Sequence, residues 1–196
     1  MMYGLPTGHR IMTLLIVGLV LFVAVHLIPT VAPLRSVLIG RLGAGAYRGL
    51  FSLVALAGLV LVVWGFARAP FEPLYTPPSW GRSLAVFAVP VALVLLTAAN
   101  MPTHIRAVLR HPMLLGVLLW AIAHLLSNGD LRSVVLFGAF AGYAVIDLIS
   151  VVVRGKRPST EKPPRLAMDA VAIVAGLVAA GLFTYFHATL FGMPAI

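Results

Sequence analysis

With 61% hydrophobic and only 10% charged residues in 196, the chain has too little polar surface for an ordinary soluble domain. Its net charge of +9 is carried without aromatic interleaving on a polar face, which argues against nucleic-acid binding and for a topological use of the arginines. The absence of cysteine removes disulfides, thiolate ligation of a metal, covalent haem attachment, cysteine-held iron–sulfur clusters and a cysteine nucleophile.

Residues 1–11 read as a poorly structured tail. Hydropathy then predicts six transmembrane helices, over 12–34, 47–67, 82–100, 112–127, 131–153 and 169–190. This is an all-α polytopic helical bundle in a lipid bilayer. The first run continues past His26 with no small-residue cleavage site, so it reads as a span and not a removed signal. Trp64, Tyr75 and Trp80 fall where spans 2 and 3 meet the surface, as an interfacial aromatic belt does. The fourth span is the shortest, crossing steeply or lying partly among headgroups. Gly138 and Gly142 on span 5 have the GxxxG spacing of close helix packing. A basic, proline-rich stretch, RGKRPSTEKPPR (154–165), opens a linker over 154–168. That linker separates a five-helix core (12–153) from a sixth helix and short tail (169–196), with Asp169 suited to the N-cap or first turn of the last helix.

The arginines and lysines are distributed unevenly. Loops after spans 1, 3 and 5 hold ten: Arg35, Arg41, Arg48, Arg106, Arg110, Arg154, Lys156, Arg157, Lys162 and Arg165. The other side holds four, Arg10, Arg68, Arg82 and Arg132. The positive-inside rule places the richer side in the cytoplasm, with both termini outward.

Histidines in apolar spans are costly and mark candidate sites. His26 and His124 lie on different helices, which suits a haem b iron held by two imidazoles. His26 precedes Pro29, whose missing N–H can open the helix beside it. His124 has Trp120 one turn before it as an aromatic wall and Asn128 one turn after as a hydrogen-bond partner. The plain alternative for either is a core histidine satisfied by a carbonyl. His111 is 13 residues from His124, about 20 Å of rise and about 140° of rotation, so the two do not face one small cofactor. It reads instead as the neighbour of a helix start at Pro112, where a propionate or phosphate binds, or as a wet boundary residue. Arg35, Arg48, Arg106 and Arg110 are candidate anchors for propionates. Asp147, the one acid within a span, is expected to pair with Arg48, Arg110 or His111, with proton transfer as the sharper alternative. His9, His104 and His187 receive no role.

Four stretches carry a family likeness: HLIPTVAPLR (26–35), RLGAGAYRGLFSLVALAGLVLVVWGFARAP (41–70), RHPMLLGVLLWAIAHLLSNGD (110–130) and AVIDLIS (144–150). Together they closely resemble the NnrU family of bacterial membrane proteins over about residues 12–153. The resemblance implies a part in nitrite and nitric oxide metabolism, associated with denitrification. The 15-cis-zeta-carotene isomerases look like distant relatives. That likeness implies haem b, histidine ligation falling on His26 and His124, redox-dependent isomerisation and a small hydrophobic substrate. Where those relatives have a cysteine this chain has Ala121, so a thiolate cannot exchange as a ligand. A competing reading is a non-enzymatic factor that assembles or regulates nitric oxide or nitrite reductase components. RHPMLLG also resembles part of the membrane isoprenylcysteine methyltransferases, which use S-adenosylmethionine. Their paired glutamates are missing, since Glu72 and Glu161 lie elsewhere.

Overall fold

A backbone in hydrocarbon must satisfy its own hydrogen bonds, and the apolar runs do so as helices. The computed structural model describes residues 7–156 and 162–193, with side chains from Arg10 onward. The first part of the expected tail, linker residues 157–161 with Arg157 and Glu161, and residues 194–196 lie outside the described residues. The helices are α1 (Thr7–Leu27), α2 (Ala32–Leu42), α3 (Ala44–Arg68), α4 (Gly81–Ala98), α5 (His104–Leu109), α6 (Pro112–Leu125), α7 (Leu131–Val153) and α8 (Leu166–Phe191). Five are long and apolar enough to cross a membrane. The shorter α6 has 14 residues, about 21 Å of helix. The chain is a helical membrane protein.

Two expectations about the first span are corrected. Residues 7–11, read as tail, are already helical, and the span stops at Leu27 instead of Leu34. Pro29 cannot donate a backbone bond, so the chain tightens into a 3-10 turn over Ile28–Thr30, where the Thr30 hydroxyl donates to the Leu27 carbonyl at 2.6 Å. Pro33 then starts α2, which has no buried residue and packs on α3 and the turn. A second short helix, α5, also went unpredicted. Its N-cap is Thr103, whose side chain accepts from Arg106 N–H.

The six longer helices close into a ring. Helix α1 packs on α3 and α7, α6 lies between α7 and α4, and α8 joins α4 to α3. Helix α1 lies close against α3, where Gly18 and Gly58 face each other. A Cβ on Gly58 would lie 2.9 Å from Phe22 N and 3.0 Å from Gly18 O. Helix α8 is seated as closely on α4: a Cβ on Gly176 would lie 2.6 Å from Val94 Cα, and the Thr97 hydroxyl reaches the Ala172 carbonyl at 2.7 Å. Gly138 and Gly142 do not pack as their spacing suggested. No atom lies within 4 Å of a Cβ at either, and both line an open apolar groove between α1 and α7.

Gly58→Ala is expected to lower thermal stability in detergent by about 1–3 kcal/mol, because a backbone atom cannot yield. Gly138→Ala should be neutral or stabilising by up to about 1 kcal/mol. Melting curves of the two variants check the assignment of the packed and open glycines.

Candidate functional site

Helix alternation sorts the polar groups into two ends. At one, Asp130 caps α7, its carboxylate accepting from Ser133 N–H at 3.2 Å and from the Ser133 hydroxyl at 2.6 Å. Arg132 lies 3.4 Å from Asp130 and donates to the carbonyls of Phe66 and Ala69, where α3 ends. Both side chains are buried. In the sequence Arg132 is one of the four basic residues of the sparser side, with no sign of this burial. Tyr75 adds a second clasp, its hydroxyl lying against the Leu125 and Asn128 carbonyls behind α6. Burial, and then the Asp130 carboxylate, push this phenol up from its ordinary value, so it stays a proton donor. Trp64 and Trp80 are exposed at this end as expected of a belt, with Arg68 over the Trp64 ring.

From that end an aromatic ladder runs down α7. His124 stacks on Phe137 with ring centroids 4.4 Å apart, and Trp120 meets both Phe137 and Phe140 edge-on. Phe140 contacts Phe22, and Phe22 stacks on His26 at 4.2 Å. His26 also meets Phe51 and Tyr143 edge-on. Each imidazole donates Nδ1–H to a carbonyl of its own helix, His26 to Phe22 at 2.7 Å and His124 to Trp120 at 2.8 Å. That bond fixes the tautomer and leaves Nε2 with its lone pair. Asn128 does not serve the His124 ring. Its amide donates to the His124 backbone carbonyl at 3.1 Å.

The two histidines belong to one ladder but stand at different levels. Their α7 neighbours, Phe137 and Tyr143, are six residues apart, about 9 Å of rise. Phe22, Phe140 and Trp120 form the run of ring contacts that connects them. Among the described residues, no three His, Asp or Glu side chains cluster to hold a metal ion. An iron here would have to bring most of its own ligands.

At the basic end, Arg106, Arg110, His111, Tyr143 and Asp147 line a cavity of about 260 Å³. Pro112 begins α6, as the sequence suggested, and no side chain caps that start. His111 bonds through Nε2 to the Lys156 carbonyl at 3.1 Å. Asp147 does pair, but with Arg154 at 3.8 Å and with the Tyr143 hydroxyl at 3.5 Å. Arg154 also donates to the Pro29 carbonyl at 2.9 Å, tying α7 to the turn after α1. Arg48 is not part of this cluster, since its Nε donates to Ala44 on its own exposed helix face. His104 pairs with Asp169 at 2.6 Å and joins α5 to α8. Tyr143, which nothing in the sequence singles out, is the residue common to both regions. It contacts His26 by its ring and Asp147 by its hydroxyl.

A family model described as NnrU protein matches residues 14–195. The chain belongs to the NnrU family. The match reaches beyond the five helices that carried the likeness and takes in α8 of this NnrU-family chain. No curated protein and no solved structure gives a significant match. Glu72, whose backbone carbonyl accepts from Leu131 N–H, lies at the end opposite the Arg110–Pro112 element that carries the methyltransferase likeness.

Asp130→Ala should cost about 3 kcal/mol or more, since it removes the α7 cap and strands Arg132 in the protein without its counter-charge. The expected signature is a lowered melting temperature that the double variant Asp130→Ala with Arg132→Met partly restores.

Proposed function

We propose that this NnrU-family chain is a haem b-binding protein of the bacterial inner membrane that serves nitrite and nitric oxide metabolism, with its basic end in the cytoplasm. The observation that carries the reading is the state of the two imidazoles. Each spends Nδ1–H on its own helix and, among the described residues, has no hydrogen-bond partner at Nε2, which lies among aromatic rings as a metal-binding imidazole needs. The family supports the metabolic setting, and the uneven charge supports the orientation.

The residues fit a haem in kind. Imidazoles are the donors, the surroundings are apolar and aromatic, and a porphyrin would bring the ligands that this site lacks. His26 and His124 would hold it, and Trp120 would wall it. For both histidines to reach one iron, the rings of Phe22, Phe140 and Trp120 must turn aside. Bound haem would supply one-electron redox chemistry, tuned by the residues that hold it and by its burial. The chain's own part is to fix the tautomers, exclude water through the Phe66–Phe137 cluster, and hold a proton between Tyr143 and Asp147 below His26.

Absorption spectra of the purified protein, oxidised and then dithionite-reduced, are expected to show b-type bands. If both histidines serve one iron, His26→Ala and His124→Ala will each convert ferric low-spin haem to high-spin. Conversion by a single variant would assign the ligand to that residue alone. Colourless protein after expression with added haem would sink the reading.

A further inference from the structure

The cavity at the basic end, whose arginines the sequence offered to haem propionates, also holds an acid that a propionate would not answer. Arg106 and Arg110 bring two guanidinium groups to its wall, and among the described residues neither has a carboxylate or carbonyl partner. Asp147 lines the same cavity. Its two partners are distant, Arg154 at 3.8 Å and the Tyr143 hydroxyl at 3.5 Å, which leaves acceptor capacity unspent. An anion alone would satisfy the arginines and be repelled by Asp147. A cation alone would do the reverse. A group carrying both charges a few atoms apart answers all three side chains.

The surroundings point to the membrane as the source of that group. Val108, Leu109 and Met113 stand beside the two arginines and are 76%, 40% and 44% exposed. Exposed apolar side chains close in sequence to arginines suit the boundary between acyl chains and headgroups, where an arginine stem lies in apolar surroundings and its head reaches a phosphate. We propose that this cavity binds the phosphoethanolamine headgroup of a membrane phospholipid. Arg106 and Arg110 take the phosphate through charge-assisted hydrogen bonds, and Asp147 takes the ammonium.

The test reads retained lipid, which is separate from any haem signal. Delipidated protein in detergent is offered equal amounts of phosphatidylethanolamine and phosphatidylglycerol, and bound lipid is measured by native mass spectrometry. The wild-type protein is expected to prefer phosphatidylethanolamine by about tenfold. The double variant Arg106→Gln, Arg110→Gln should lose about tenfold in retention of both lipids. Asp147→Asn should keep the phosphate contact and lose the preference. Circular dichroism and melting of each variant separate lost binding from lost fold, and Arg106→Lys with Arg110→Lys is a milder replacement that keeps the charge. Equal retention of both lipids by wild type and the double glutamine variant would overturn the proposal. Soluble phosphoethanolamine binding that phosphatidylethanolamine fails to displace would overturn the lipid source and assign the cavity to a water-borne ligand.

Discussion

The buried pair of Asp130 and Arg132 sets the level of α7 against its neighbours, and the interior of the bundle is arranged along α7. Helix ends are where carbonyls and N–H groups lack partners, and hydrocarbon makes such vacancies costly. Asp130 answers the N–H groups at the start of α7, while Arg132 answers the last carbonyls of α3. One ion pair thus closes two helix ends that point opposite ways. The backbone bonds from Leu74 and Tyr75 to Gly129, and from Leu131 to Glu72, hold the intervening loop to the same point. With its start fixed, α7 presents Phe137, Phe140, Tyr143 and Asp147 at spacings of three and four residues, a single inward stripe.

His26 reaches that stripe because α1 lies nearly backbone to backbone with α3. Glycine at 18 and 58 removes the side chains that would hold the helices apart, and Phe22 then rests over Gly58 with its ring between His26 and Phe140. The end of α1 is pinned separately, by Arg154 on the Pro29 carbonyl. Two unrelated constraints, a glycine contact and a proline turn, therefore decide the depth of one imidazole. His124 owes its depth to the start of α6 at Pro112 and to the clasp of Tyr75 on the far end of that helix.

The spans were legible because twenty or so apolar residues have few other uses, and His26, His124 and Trp120 stood out as cost or bulk within them. The break at Pro29 was written in the sequence as Pro29 and Pro33 together, but the apolar residues around them masked it as continuous span. Arg132 was illegible because a count of charges per loop treats every arginine alike, and only the fold shows that this one is buried. The GxxxG at Gly138 misled for a related reason. In a chain rich in small residues, spacing alone does not say which glycine meets another helix, and the pairs that do so come from different helices. Tyr143 carried no signal, since an isolated tyrosine within a span reads as ordinary bulk.

That tyrosine bears most directly on how the parts would work together. Its ring lies against His26 while its hydroxyl reaches Asp147, and it lines both the open groove toward α1 and the charged cavity toward α6. A rotation of Tyr143 that clears space beside His26 would also withdraw a hydrogen bond from Asp147. The carboxylate would then turn more fully to Arg154 or to whatever occupies the cavity. Conversely, a cation drawn to Asp147 competes with the Tyr143 hydroxyl and loosens the ring from its place. Coupling of this kind is reciprocal, because each event acts on the same side chain and neither can shift it without changing the other's free energy. The aromatic interior and the basic end are therefore parts of one arrangement, with Tyr143 as the point where they meet.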